Sequence, residues 1–382
     1  MKADGAEESD PVQLLIKAML AEKRGELDQA EVSARAALGI SEQQRNADCI
    51  LQALGILAKT ASKRHKWSEA ERCLKRAVDL AEELQIEDAQ AVFLNNLGNF
   101  YQARGDNRLA EDSYRRTLAI DERHGRKTDV ASTLSNLGLI AKERGDLSES
   151  EALHRRALAI HEEVGNEVGV ADSLHNLAIT VKTLGNVSAA EKLINRALQM
   201  NERLERKGEA AGQLGVLGVI AEGRRDFASA ESFQTRALAL HTELRNLDGQ
   251  AMALHNLGDI AGGRGRFEDA EKFFRRALAI NQELGRKHGQ ANNLSKLGQL
   301  ARCRHDLDEA EEFHKRATAL YEQIGAKIGL AAELFNLGLV AEERGDRAEQ
   351  RRCWLASREL YQEMGIEHEV DDITERLSSA GP

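Results

Sequence analysis

A period of 40 residues constrains this chain more than any other feature. A small residue followed by Glu recurs as Ala30-Glu31, Ala70-Glu71, Ala110-Glu111, Ser150-Glu151, Ala190-Glu191, Ala230-Glu231, Ala270-Glu271 and Ala310-Glu311. Every step is 40 residues, and a ninth copy, Gln350-Arg351, has lost the pair. Upstream in most units runs Leu-x-x-Leu-Gly, as in Leu134, Leu137 and Gly138; downstream runs Arg-Ala-Leu, as in Arg156-Ala157-Leu158. Self-similarity at such a period marks stacked units, each too small to bury its apolar face alone.

Each unit reads as two helices. In the first, Leu134, Leu137, Gly138 and Ala141 fall at i, i+3, i+4 and i+7, one helical face. Gly138 is placed to let a neighbouring helix approach closely. Gly145 then suits the left-handed turn that ends a helix, and Asp146 is an N-cap for the next. Glu149 completes a capping box, repeated by Asp306 with Glu309 and Asp346 with Glu349. The Arg-Gly-Asp tripeptides are therefore helix punctuation rather than an adhesion motif. The second helix runs to about Gly165, a stop matched by Gly125, Gly285 and Gly325. Arg104, Arg144, Arg224, Arg264 and Arg304 end first helices; Glu111, Glu151, Glu231, Glu271 and Glu311 open second helices. Each charge suits its helix dipole.

The only prolines are Pro11 and Pro382, which fits helix nearly throughout, because proline breaks helix interiors. Asp10 caps the first helix, Pro11 stands at its first position, and Gln13 completes the cap. Residues 366–378 read as a terminal capping helix, which helical arrays need. The division is a disordered tail over 1–10, an array over 11–370, and the end of the capping helix with a tail over 371–382.

This pattern resembles the tetratricopeptide repeat family over nearly the whole chain, with Leu97, Gly98, Tyr101, Ala110 and Tyr114 on consensus positions. The usual period is 34 residues; at 40, this chain is similar to the Pins/LGN scaffolds and, more loosely, to kinesin light chains. The resemblance implies an all-α, right-handed superhelical solenoid of about nine antiparallel helix pairs. It also implies a non-catalytic scaffold whose inner groove holds peptide segments.

Five asparagines share one register: Asn96, Asn136, Asn176, Asn256 and Asn336. Asn is an indifferent helix former, so its recurrence needs a reason. The residues beside the core stripe of each first helix should line the concave surface. Those singled out are Asn95, Asn96, Asn99, Asn136, Leu139, His175, Asn176, Ile179, Val216, Val219, His255, Asn256, Asp259, Lys296 and Asn336. An amide both donates and accepts, so one every 40 residues could hold the main chain of an extended peptide. The resemblance implies the same use of groove asparagines. The competing reading is an amide bonded to the adjacent helix, tying the stack together.

His175 and His255 lie two repeats apart and cannot share a metal; peptide contact or solvation accounts for them better. His154 and His314 occupy a second-helix slot held elsewhere by Tyr114, Phe274 and Trp354, which points to packing. The sixth unit places Gly212, Gly215 and Val216 where amides or larger groups stand elsewhere. A flexible joint, an apolar pocket floored by Val216 and Val219, and neutral drift all remain open.

A formal net charge of −10 argues against a nucleic-acid binder. Cys49, Cys73, Cys303 and Cys353 form no zinc spacing and no disulfide framework, the pattern of a reducing cytoplasm. The acidic start lacks the apolar stretch of a signal peptide, and no apolar run approaches the ~20 residues of a membrane span. Phosphate-loop, zinc-protease and serine-hydrolase motifs are missing, so no catalytic residue, metal or cofactor is expected. The expected partner is a protein or peptide. Two other functions stay open: an effector or peptide sensor whose superhelix changes pitch, and a homo-oligomeric scaffold.

Overall fold

A computed structural model describes residues 10–379, so the acidic tail expected over 1–10, Asp10 apart, lies outside the described residues, as do 380–382. Nineteen α-helices and no strand occur among the described residues. Eighteen of them pair as α1 (Pro11–Arg24) with α2 (Leu27–Gln44), α3 (Ala47–Lys63) with α4 (Trp67–Glu83), and α5 (Glu87–Ala103) with α6 (Asn107–Arg123). Next come α7 (Lys127–Glu143) with α8 (Leu147–Glu163), α9 (Glu167–Thr183) with α10 (Val187–Arg203), and α11 (Lys207–Gly223) with α12 (Phe227–Glu243). The series ends with α13 (Leu247–Gly263) and α14 (Phe267–Glu283), α15 (Lys287–Cys303) and α16 (Leu307–Ile324), and α17 (Lys327–Arg344) and α18 (Arg347–Glu363). A last helix, α19 (Glu367–Ser379), packs on α18 and buries Ile373 and Leu377. The chain is thus an all-α helical solenoid of nine antiparallel pairs with a terminal helix. It divides into two compact units, residues 1–193 and 194–382.

Punctuation between helices follows the sequence in part. Gly145 takes φ +89°, its N–H reaches Lys142 O at 3.0 Å and the Asp146 N–H reaches Ala141 O at 2.9 Å, which satisfies the terminal carbonyls of α7. Asp146 Oδ1 accepts the Glu149 N–H at 3.0 Å. The capping boxes are only half made, however. Glu149 turns away to Arg144, and Glu349 to Arg352. Among the described residues Gln13 likewise makes no bond back to Asp10, whose carboxylate caps Val12 N at 3.0 Å. A nearby guanidinium is a stronger partner for a carboxylate than a neutral backbone N–H.

The arginine ladder has a definite set of partners. Arg144 Nη1 meets Glu111 Oε2 at 2.7 Å and Arg264 Nη1 meets Glu231 Oε2 at 2.6 Å. Arg304 with Glu271 and Arg344 with Glu311 repeat this. Each arginine reaches back to the glutamate of the preceding pair, so the ladder joins neighbouring repeats.

The glycines that recur at this register have a more specific role than close helix approach. A Cβ on Gly98 would strike the Tyr114 ring; on Gly258, the Phe274 ring; on Gly298, the His314 ring; on Gly338, the Trp354 ring. Each of these first helices gives up a side chain so that the second helix of its own pair can insert a large one. Gly138 does this for His154, which is fully buried with both ring nitrogens unpartnered. His314 also packs this way, but its Nδ1 lies 2.7 Å from the buried Glu333 carboxylate, which Ser295 Oγ joins from α15.

Successive first helices touch each other within each unit: α1 with α3 and α7 with α9 in the first, α11 with α13 and α15 with α17 in the second. The first helices therefore form one layer of each stack and the second helices the other.

Candidate functional site

On every first helix from α5 to α17 the burial pattern repeats. The Leu, Gly and Ala positions face the core, and a stripe at i, i+3, i+4 and i+7 stays open to solvent. In α5 this stripe is Val92, Asn95, Asn96 and Asn99; in α7 it is Ser132, Ser135, Asn136 and Leu139; in α9 it is Asp172, His175, Asn176 and Ile179. In the second unit it holds Val216 and Val219 on α11, His255, Asn256 and Asp259 on α13, Lys296 on α15, and Asn336 on α17. All the residues singled out from the sequence thus lie on this one face of their helices. The cause is geometric: a residue beside a 3.6-period core stripe on a helix packed from behind has nowhere else to point.

Their hydrogen bonds differ. The Asn136 Nδ2 donates to Asn95 Oδ1 at 3.5 Å, across neighbouring first helices. Asn99 Oδ1 accepts the Tyr114 hydroxyl at 2.7 Å. Asn336 Nδ2 donates to Glu333 Oε1 at 3.4 Å. Asp259 sits between Lys296 Nζ at 2.8 Å and His255 Nε2 at 3.4 Å, and His255 Nδ1 lies 3.0 Å from Asn293 Oδ1. Burial pushes the His175 imidazole down, against the pull of Asp172. Among the described residues, the amides of Asn96, Asn176 and Asn256 have no side-chain partner. In the sixth pair, α11 runs unbroken through Gly212 and Gly215, whose missing side chains face open space.

Two cavities open on this face, one in each unit, at equivalent register positions four repeats apart. The first, of about 240 Å³, lies between α5 and α7 and includes Asn95, Asn96, Asp88, Asp121 and Arg126. The second, of about 690 Å³, lies between α13 and α15 and includes His255, Asn256, Asp248, Asn281 and Arg286. In the first, Arg126 Nε donates to the buried Asp121 at 2.9 Å and also engages Asp88. Burial raises the Asp121 carboxyl, and the guanidinium opposes that rise. In the second, Asn281 replaces the aspartate, and Arg286 turns to Asp248 at 3.1 and 3.3 Å. The residues at the ends of the second helices and in the following turns were not anticipated from the first-helix pattern. Their only signal is the aligned column Asp121, Asn201, Asn281 with Arg126, Arg206, Arg286.

Among the described residues no helix is long and apolar enough to cross a membrane. Among solved structures, BtubC (BKLC) from P. vanneervenii matches at 25% identity over 57% of this chain and 92% of its own, with a TM-score of 0.53. The apo form of RapI matches at 13% identity over 93% of this chain and 98% of its own, with a TM-score of 0.68. The apo form of the quorum sensor NprR from B. thuringiensis matches at 13% identity over 91% and 97%, with a TM-score of 0.64. The last two likenesses concern the fold. A search of the curated proteins returns no match. A family model of the tetratricopeptide repeat matches residues 89–163, 129–203, 209–283 and 250–323. With that match over more than half of the sequence, and paired helices at the same period throughout the described residues, the chain belongs to the tetratricopeptide repeat family.

Proposed function

We propose that this protein is a non-catalytic interaction scaffold that holds an extended protein segment against its first-helix layer. The observation that carries the reading is the set of unpartnered amides at Asn96, Asn176 and Asn256, repeated at one register on a face left open to solvent. An extended segment lacks internal backbone partners, and amides spaced along a solenoid can supply both a donor and an acceptor. Leu139, Ile179, Val216 and Val219 offer apolar contacts between them. A Rap protein of like fold was solved in complex with Competence and Sporulation Factor, at 15% identity and a TM-score of 0.56. That likeness carries the fold, and the ligand reading rests on this chain's own side chains. Four free thiols, three of them buried, and the acidic balance fit a cytoplasmic protein with no role in binding nucleic acid.

The test replaces Asn96 and Asn176 together by Ala. A partner is first captured on the immobilised wild-type chain and its bound segment synthesised. A hydrogen bond to a neutral backbone group contributes ~0.5–1.5 kcal/mol net, so two losses should weaken affinity roughly 5- to 100-fold. The melting temperature should stay put. Unchanged affinity with a large fall in melting temperature would make the amides ties between helices and reject the scaffold reading at this face.

A further inference from the structure

A repeating ion pair loses its acid where Lys287 faces Gln323, and a cavity lies there. In α7 and α8, Lys127 Nζ meets Glu163 Oε1 at 2.5 Å; in α17 and α18, Lys327 Nζ meets Glu363 Oε2 at 2.9 Å. Lys207 of α11 and Glu243 of α12 form the same pair. In each case the lysine opens a first helix and the glutamate ends the second helix of that pair, 36 residues on. Lys287 holds this position at the start of α15, but the residue 36 on is Gln323. Among the described residues the Lys287 ammonium has no ion pair, and it lines the cavity of about 690 Å³ between α13 and α15.

A second, independent irregularity lines the same cavity. At the equivalent positions elsewhere, Asp121 is held by Arg126 and Asn201 by Arg206 Nη1 at 3.0 Å. Asn281 has no such partner, and Arg286 bonds Asp248 alone. The Asn281 side chain is 9% exposed and has no hydrogen-bond partner among the described residues. An amide without a protein partner is open to a bond from water or a ligand. Close to these polar groups the wall is apolar: Met252 is 69% exposed and Ile324 is 37% exposed. Asp248 and Arg286 neutralise each other, so Lys287 sets the local charge.

We propose that this cavity is the acidic-residue subsite of the bound segment. It takes an Asp or Glu side chain on Lys287, with Asn281 donating to the same carboxylate and Met252 and Ile324 covering a neighbouring apolar residue. This rests on the scaffold reading above and specifies what the segment must carry. A lysine without a counter-ion recognises a carboxylate by a charge-assisted bond, and a neutral amide in its place forfeits that attraction. The equivalent cavity of the first unit has no such vacancy, since Asp121, Asp88 and Arg126 close on one another. Its ligand has no acidic requirement.

The experiment pans a phage-displayed library of random 12-residue peptides on the whole chain, then synthesises recovered peptides with capped ends. Each is compared with its Asp→Asn or Glu→Gln counterpart, on the wild type and on Gln323→Glu. That substitution lies at an exposed position and gives Lys287 the counter-ion that Lys127, Lys207 and Lys327 have. The expected result is an enrichment of Asp or Glu, and a loss of about three- to fivefold when it becomes an amide, the range of an exposed ion pair. Gln323→Glu should weaken the acidic peptide by a similar factor and erase its advantage over the amide form. Peptides that bind with no acidic preference, or whose preference survives Gln323→Glu, would overturn the subsite and leave the scaffold reading standing. Recovery of no binding peptide would overturn both.

Discussion

The substitution Gly338→Ala tests whether the register glycines exist to receive a side chain from the second helix. A Cβ at residue 338 would fall well inside contact distance of Cδ1 and Nε1 of Trp354. The indole is 1% exposed, its ring stacks on Phe335 with centroids 5.9 Å apart, and its Nε1 donates to Phe335 O at 3.2 Å. It has no empty side to move toward. Forcing an extra methyl into such packing costs ~1–3 kcal/mol, and shifting the indole off its carbonyl adds ~1 kcal/mol. Alanine recovers ~1 kcal/mol of helix propensity. The net is a loss of about 2 kcal/mol. Gly212→Ala and Gly215→Ala serve as controls, because a Cβ at either place meets nothing within 4 Å. Each should raise stability by ~0.5–1 kcal/mol. Urea denaturation of the whole chain, followed by tryptophan fluorescence and circular dichroism, reads both effects. If Gly338→Ala stabilised the protein as the controls do, the insertion account would be wrong.

Burial pushes the His154 imidazole down to about 4, with Lys142 adding to the effect. The unfolded chain then takes up a proton near pH 6.5 that the folded chain refuses, so stability should fall as pH drops from about 6.5 to about 4, by roughly 3 kcal/mol in all. His154→Phe, the residue type that fills the slot at 274, should flatten that part of the acid-denaturation profile. A double-mutant cycle on Arg144 and Glu111, a partly exposed pair, should give a coupling below ~1 kcal/mol that shrinks in high salt. Single Asn96→Ala, Asn176→Ala and Asn256→Ala changes should leave the melting curve within ~0.5 kcal/mol of wild type, because none of these amides has a partner to lose.

The repeat made the fold readable in the sequence: a fixed period, a core stripe and glycine stops define helix pairs without knowledge of any contact. The exposed face was readable for the same reason, since burial on a packed helix follows its angular position. What stayed hidden were choices between partners. Glu149 could cap Asp146 or pair with Arg144, and Arg144 could turn to Glu151 or back to Glu111; only spatial proximity decides. Gly138 and His154 were both visible as recurring slots, but their matching required knowing which helix faces which. The acidic subsite in the second unit was hidden because it rests on departures, Gln323 and Asn281, on two different helices. A single-repeat pattern treats such changes as noise.

Hydroxyl-radical footprinting with a captured segment bound tests most directly whether the first-helix layer is the binding face. Val92 on α5 and Met252 on α13 are 57% and 69% exposed, and Val32 on the second helix α2 is 68% exposed. The account predicts that the bound segment protects Val92 or Met252, or both, from oxidation and leaves Val32 unchanged. Protection of Val32 with Val92 and Met252 still fully oxidised would place the partner on the second-helix layer and contradict it.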